Sequence, residues 1–427
     1  MGILKTQDKV IRSAITAVLA SLSATTWAGA LYFPEMSSAS ESSYAGAGMV
    51  ARANDAGTAF SNPAGMTRFE ESEILAGATG VYIEANFKPN RDTTTVDGKD
   101  GSVNKRIVPA GSFAYVRPMS DRLWLGFSVH NYFGLAIDWK DDWVGRYSSV
   151  NVTVLAPQFQ PSVGYKVNDW LSVGAGAAAT LGYLKDKMRV APLFGAQGND
   201  GKMRLSDADW AMQYNFGVML EPTDRTRIGI RYLTETELNF KDAPDISGVS
   251  KPDPPDLTPF TDFTTDTEGL DLGITMPRAI HAGIHHQWSD DLALLGSVGW
   301  EEFSKFGKVQ VSVAPTGIKT TLDEDFRDVW HFGVGAEYKY KPKWELTGGF
   351  SLDSSMSTDR TRPIVIPLGT MYRYAVGFKH NVRDDLIVGG GFSWIWEGNL
   401  PVKESETVNG KYDRVSISVL SVYARWH

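Results

Sequence analysis

His281 and His285 stand four residues apart in the run Ile280 to Trp288, so an extended backbone puts both imidazoles on one face. Paired imidazoles can ligate a metal, but polar histidines facing a lumen are the commoner use, and no metal site is expected. Segment 242–269 carries Asp242, Asp245, Asp253, Asp256, Asp262, Asp266 and Glu268 against Lys251 alone. Such carboxylates either bridge a divalent cation to phosphates or are simply solvated. Hydrolysis needs a nucleophile, a base and an orienting group. The chain has no Gly-x-Ser-x-Gly, no His-Glu-x-x-His and no cysteine, which excludes thiolate catalysis, disulfides and Cys-ligated metals. No enzymatic activity, catalytic residue or cofactor is expected. With 42 basic against 50 acidic side chains the chain lacks the basic face that nucleic acid requires.

The remaining chemistry is apolar, and periodicity shows which elements present it. Lys5, Lys9 and Arg12 precede an apolar stretch from Ser13 to Ala24, and Ala28-Gly29-Ala30 offers small residues for cleavage. Residues 1–30 are therefore expected to be a secretory signal. No run approaches the roughly 18–20 apolar residues of a membrane helix. Instead Trp330, Phe332, Val334, Ala336, Tyr338 and Tyr340 alternate with His331, Gly333, Gly335, Glu337, Lys339 and Lys341. The runs Ile280 to Trp288, Lys343 to Leu352 and Tyr372 to Lys379 alternate likewise. Period two denotes strands with one apolar face, and Trp or Tyr at the ends of that face is what a membrane interface favours.

Short polar turns fall at Pro118 to Asp121, Asn168-Asp169, Glu221 to Asp224, Ser289-Asp290, Lys341 to Lys343 and Asn381 to Asp384. Longer polar segments lie near 87–105, 136–151, 187–208, 242–269, 314–325, 355–368 and 397–411. Six turns and seven loops connect fourteen strands, an even number with both ends on the periplasmic side. The expected fold is all-β: a 14-stranded antiparallel transmembrane barrel over 74–427, closed so that no backbone group faces lipid unpaired. Residues 31–73 lack sustained alternation yet contain Tyr44, Met49, Val50, Phe60, Met66 and Phe69, too apolar for a solvated tail. They are expected to form a small helical hatch in a lumen too wide for wall side chains to fill.

These residues resemble the FadL/TodX (OMPP1) family of outer-membrane transporters of long-chain fatty acids and other hydrophobic compounds. Asp55-Ala56-Gly57 followed by Asn62-Pro63-Ala64 is similar to that family's hatch motif. Asn131 to Ala136, Met276-Pro277, Phe326 to Asp328 and Ile364 to Pro367 add secondary matches. The resemblance implies passive uptake: a ligand lands between outer loops, enters an internal pocket and leaves sideways beside a kinked third strand. It implies that Gly111, Asn131 and Gly217 line the exit opposite Asn62-Pro63, and Gly134 beside Asn131 is a bulge site. Leu193, Phe194, Leu257, Phe260 and Phe263 sit among polar residues in two long loops, either as a landing groove or as anchors on the rim. In fatty-acid members two basic residues hold the carboxylate. Lys185, Lys187 or Arg189 stands where the first is expected. For the second, Lys319 and Arg327 only flank the acidic stretch Leu322 to Asp325. An uncharged aromatic hydrocarbon therefore stays open as ligand, and a general porin or a surface adhesin stands as the alternative function. Expected partners are the bilayer, lipopolysaccharide and the barrel assembly machinery, with the chain acting as a monomer. The C-terminus departs from the usual pattern, ending one residue beyond its aromatic Trp426.

Overall fold

The computed structural model describes residues 32–192, 198–248, 270–313, 318–403 and 407–427. The expected signal at 1–30 lies outside the described residues. Among these, fourteen antiparallel staves follow one another. They are β1 Glu73–Pro89, β2 Ile107–Ser120, β3 Leu123–His130 continued by Gly134–Asp138, β4 Asn151–Leu155 continued by Gln158–Lys166, and β5 Leu171–Val190. Next come β6 Gly201–Thr223, β7 Thr226–Leu233 continued by Thr236–Asp242, β8 Leu270–Met276 continued by Ala279–Gln287, and β9 Leu292–Glu301. The last are β10 Ile318–Asp323 continued by Val329–Lys341, β11 Trp344–Asp353, β12 Met371–Arg383, β13 Leu386–Val402 and β14 Gly410–Trp426. β14 pairs with β1 from Ile74↔Trp426 to Pro89↔Gly410, so the first and last strands join and the sheet closes on itself.

The alternation sorts as expected. Val334, Val376 and Leu420 point outward at 60–63% exposure, while His331, Arg373 and Ser421 on the same strands are buried. Trp170, Trp288, Tyr340 and Trp344 form an exposed belt near the short turns, and Trp210, Trp330 and Trp396 stand farther along the strands. The six short turns fall where the sequence placed them, but the strands run farther at the other end. β5 reaches Val190 and β6 begins at Gly201, so the loop expected at 187–208 shrinks to 191–200. Residues 136–138, 318–323 and 397–402 are also strand. Beyond the membrane the backbone ladder continues while hydrophobic alternation no longer marks it.

Residues 32–69 occupy the lumen. They form five short helical turns, Pro34–Ser37, Glu41–Ser43, Met49–Arg52, Thr58–Ser61 and Pro63–Arg68. Helices this short cannot stand alone and depend on the wall around them. Wall side chains donate to their carbonyl oxygens: Gln160 and Ser162 to Ala59 (2.9 and 2.8 Å), Asn215 to Phe60 (2.6 Å) and Arg227 to Ala51 (3.1 Å). Where the approach is closest the wall residue is glycine. A Cβ on Gly349 would sit 1.9 Å from the Tyr44 oxygen, and one on Gly217 would sit 2.0 Å from Asn62 Oδ1.

Candidate functional site

The wall is interrupted between β2 and β3. Their ladder runs from Ser120↔Leu123 to Phe113↔Val129 and then stops. It resumes at Val103↔Trp139, beside a bond from Asn104 N to the Asp138 oxygen at 2.8 Å. Both pairs share one register, so no residue slips across the gap. Over Ile107–Ser112, β2 pairs with β1 alone. At about 3.4 Å per residue the opening extends on the order of 25 Å along the strand.

Its cause lies on the other side of β3. Leu123–His130 pairs with β4 from Tyr165 down to Gln158, and Gly134–Asp138 pairs with Asn151–Leu155. Three residues, Asn131-Tyr132-Phe133, thus face only Ala156 and Pro157. One extra residue makes a bulge, which bends the strand and reverses its facing. Below it the even residues Trp124, Ser128 and His130 are buried; above it the odd residues Leu135, Ile137 and Trp139 are. In the amide orientation that satisfies both neighbours, Asn131 fastens the bend, its nitrogen facing the Phe133 oxygen at 2.8 Å and the Ala156 oxygen at 3.2 Å. Pro109 on the facing edge has no N–H to offer a partner strand. The hatch bonds to both lips of the opening. Phe33 N donates to Tyr132 O (2.8 Å), Tyr32 bridges Phe133, and Ala39 N donates to Ser112 Oγ (3.0 Å).

The hatch motif forms the turn at the centre of the plug. Asn62 is fully buried; its Oδ1 accepts from Ala64 N (3.2 Å), and Nδ2 donates to the Val50 oxygen (2.7 Å) and the β6 Val218 oxygen (3.0 Å). Pro63 opens the helical turn that follows, where its missing N–H costs nothing. Asp55 Oδ1 accepts from Gly57 N at 2.9 Å and closes the preceding turn. Burial pushes the Glu41 carboxyl above its ordinary range, and the adjoining Arg52 opposes that shift.

At the seam, Glu73 on β1 accepts from Arg425 on β14 (2.7 and 3.2 Å) and from Ala56 N of the hatch (2.7 Å). Replacing one partner strands a buried charge, at a cost of about 3–5 kcal/mol. Arg425→Leu should therefore lower the temperature at which the barrel loses its compact mobility in detergent gels.

Above the hatch the lumen is apolar. Trp139 stacks on Trp143 (4.5 Å, 15°), Phe133 meets Phe306, and Ile364, Val365 and Ile366 fold inward from the β11–β12 connection. Beside the hatch lie ion pairs. Arg373 meets Glu35 (2.7 Å) and Asp353 (2.6 Å), and His331 also bonds Asp353 (2.6 Å). His281 and His285 share the inner face but bond different acids, Glu301 and Glu337, both at 3.3 Å. Among the described residues no three His, Asp or Glu side chains gather as metal ligands would.

The expected site residues therefore separate. Gly111, Asn131 and Gly134 gather at the opening, Gly111 exposed on its β2 lip. Gly217 on β6 lies elsewhere, against Asn62. Lys187 and Arg189 do not reach the lumen: they alternate with the buried Asp186 and Met188, and Arg189 pairs with Asp141 at 2.5 Å. Arg327 is exposed, and Lys319 lies on β10 with its side chain outside the described residues. Leu193, Phe194, Leu257, Phe260 and Phe263 also lie outside them, as does the acidic segment from 249 to 269. Sequence reasoning missed the inward arginines Arg231 and Arg373. The alternation marks both, each standing between two outward apolar residues, Ile230 and Tyr232 or Tyr372 and Tyr374.

Residues 19–423 match the family model described as outer membrane protein transport protein (OMPP1/FadL/TodX). The long-chain fatty acid transport protein of Salmonella typhi is 23% identical over 414 residues, covering 92% of this chain and 93% of that protein. Outer membrane protein P1 of Haemophilus influenzae is 24% identical over 408 residues, covering 86% and 85%. Among solved structures, a Pseudomonas aeruginosa FadL homologue superposes with a TM-score of 0.80 at 20% identity, covering 93% of this chain and 99% of its own. The Pseudomonas putida toluene transporter TodX superposes at 0.66 and 15% identity, covering 87% and 94%. The matched family, the closed strand barrel and the lumenal plug agree: this chain belongs to the OMPP1/FadL/TodX family of transport proteins of the Gram-negative outer membrane.

Proposed function

We propose that the barrel takes up long-chain fatty acids, or molecules of similar hydrophobicity, and releases them sideways into the outer membrane between β2 and β3. The observation that carries this reading is the ladder broken from Phe113↔Val129 to Val103↔Trp139, with hatch residues bonded to both lips. A hydrophobic solute gains nothing from a watery pore, and lipopolysaccharide obstructs its direct entry into the bilayer. A dry passage lined by Trp139, Trp143 and Phe133 and opening into lipid avoids both barriers. The hatch keeps the axial route shut, while the outer loops, including Leu193, Phe194, Leu257, Phe260 and Phe263, provide the first apolar contact. The relatives named as long-chain fatty acid transport proteins support the ligand class.

A second reading, uptake of an uncharged aromatic hydrocarbon, is favoured by the outward placement of Lys187 and Arg189 and by the likeness to a toluene transporter. Uptake of labelled oleate and labelled toluene by cells with and without the chain separates the two. Oleate should enter faster only where the barrel is present; if neither solute does, the transport reading fails.

A further inference from the structure

Outside the lumen, one exposed surface gathers cations. Lys88 on β1 stands directly opposite Lys411 on β14, and Lys411 stands opposite Pro401 on β13. Their strand neighbours Phe87 and Tyr412 are buried in the lumen, so both lysines point away from the barrel. Like charges facing each other across a ladder repel. Asp413 answers both, at 2.7 and 3.5 Å, with one carboxylate for two ammonium groups. Arg414 adds a further repulsion on Lys88, and the nearby Asp100 is engaged by Arg91. Just past β13, Lys403 meets Asp359 (3.1 Å), whose carboxylate also takes Arg362 (3.1 Å). Positive charge is thus in surplus on this face, although acidic residues outnumber basic ones in the whole chain.

The three lysines rim a groove of about 740 Å³ lined between them by Pro89, Pro401 and Val402. Its sides are fastened to each other: Asn90 N donates to the Asn409 oxygen at 2.7 Å, and Thr94 Oγ1 to the same oxygen at 3.0 Å. The lysine side chains are 56–62% exposed, so their ammonium groups lose little by exchanging one anion for another. The height of the groove identifies the anion. Trp394 and Trp396, exposed on β13, mark the end of the apolar wall. Pro401 stands farther out on the same strand, on the order of 15 Å beyond Trp396 at about 3.3 Å per residue. In the outer leaflet of a Gram-negative membrane that level is filled by the phosphorylated sugars of lipopolysaccharide.

We propose that Lys88, Lys403 and Lys411 form a docking surface for one lipopolysaccharide molecule. The three ammonium groups take its sugar phosphates in charge-assisted hydrogen bonds, and Pro89, Pro401 and Val402 receive the apolar face of a sugar ring. The bound glycolipid lies over the seam where β1 and β14 join. This surface is on the outside of the barrel and is independent of the route a solute takes through it.

Binding of fluorescent lipopolysaccharide to the purified barrel, stripped of lipid and held in detergent, tests the assignment. Joint replacement Lys88→Gln, Lys403→Gln and Lys411→Gln should weaken binding about tenfold, the sum of three modest exposed contacts, with heat-modifiability unchanged. The same three changes made instead at Lys166, Lys339 and Lys341, by the short turns, should leave binding as it was. Dephosphorylated lipopolysaccharide should bind the unmodified barrel as weakly as the intact glycolipid binds the triple variant, and inorganic phosphate at matched concentration should not displace the intact glycolipid. Equal binding of the dephosphorylated form would overturn the proposal and needs no variant to fold. So would full binding by the triple variant, an equal loss in the control variant, or displacement by inorganic phosphate, which would reduce the surface to a site for small anions.

Discussion

Deletion of Asn131 should reduce oleate uptake to the level of cells lacking the barrel while leaving a closed, heat-modifiable barrel in the membrane. The bulge exists because Asn131-Tyr132-Phe133 faces two residues of β4. Removing one makes the count two against two and restores a single inward phase along β3, since buried positions are even before the bulge and odd after it. A straight β3 lies at ladder distance from Ile107–Ser112, whose outer edge is free, and the opening closes. Asn131→Ala is the milder companion. It keeps the bulge but loses the amide that fastens it to Phe133 and Ala156, so uptake should fall only in part. Normal uptake by the deletion variant, with the barrel folded, would dissociate transport from the opening.

The second large effect belongs to Asn62. Asn62→Ala removes two donors and one acceptor at a fully buried position, leaving the Val50 oxygen and Ala64 N without these bonds and cutting the hatch's link to the Val218 oxygen of β6. Each orphaned group costs about 1–3 kcal/mol, which is large against short helices that depend on the wall. The barrel ladder is untouched, so the loss falls on the plug. Amide exchange across Ala51 to Met66 should accelerate, and the cells should become sensitive to bulky polar antibiotics that the intact outer membrane excludes. Gly217→Ala should act in the same direction, because its Cβ would collide with the Asn62 side chain. Unchanged exchange in both variants would show that the turn is not what seats the hatch.

The ease of reading the barrel and the difficulty of reading its opening have one origin. Alternation every second residue is imposed by lipid on each strand separately, so runs such as Trp330 to Lys341 disclose their facing without their neighbours. The bulge in β3 is a mismatch between two strands. The sequence Asn131-Tyr132-Phe133-Gly134 shows a suitable place for it, but only the pairing with Ala156 and Pro157 shows the extra residue. The same local rule, carried past the membrane boundary along β5, turns Lys187 and Arg189 away from the lumen and would have pointed to Arg231 and Arg373 instead. The hatch motif was legible because Asn62 and Pro63 each have a particular backbone task. What the turn rests on was not, since Gly217 comes against it only through the closure of the barrel.

The most direct measurement is mapping a photoreactive long-chain fatty acid taken up by living cells, with excess oleate to identify the saturable adducts. Those adducts are expected on Tyr132, Phe133 and the β2 lip from Ile107 to Gly111. Saturable adducts confined to the periplasmic mouth at Arg68, Phe69, Trp124 and Glu221, with none at the β2–β3 opening, would show passage along the barrel axis and contradict sideways release.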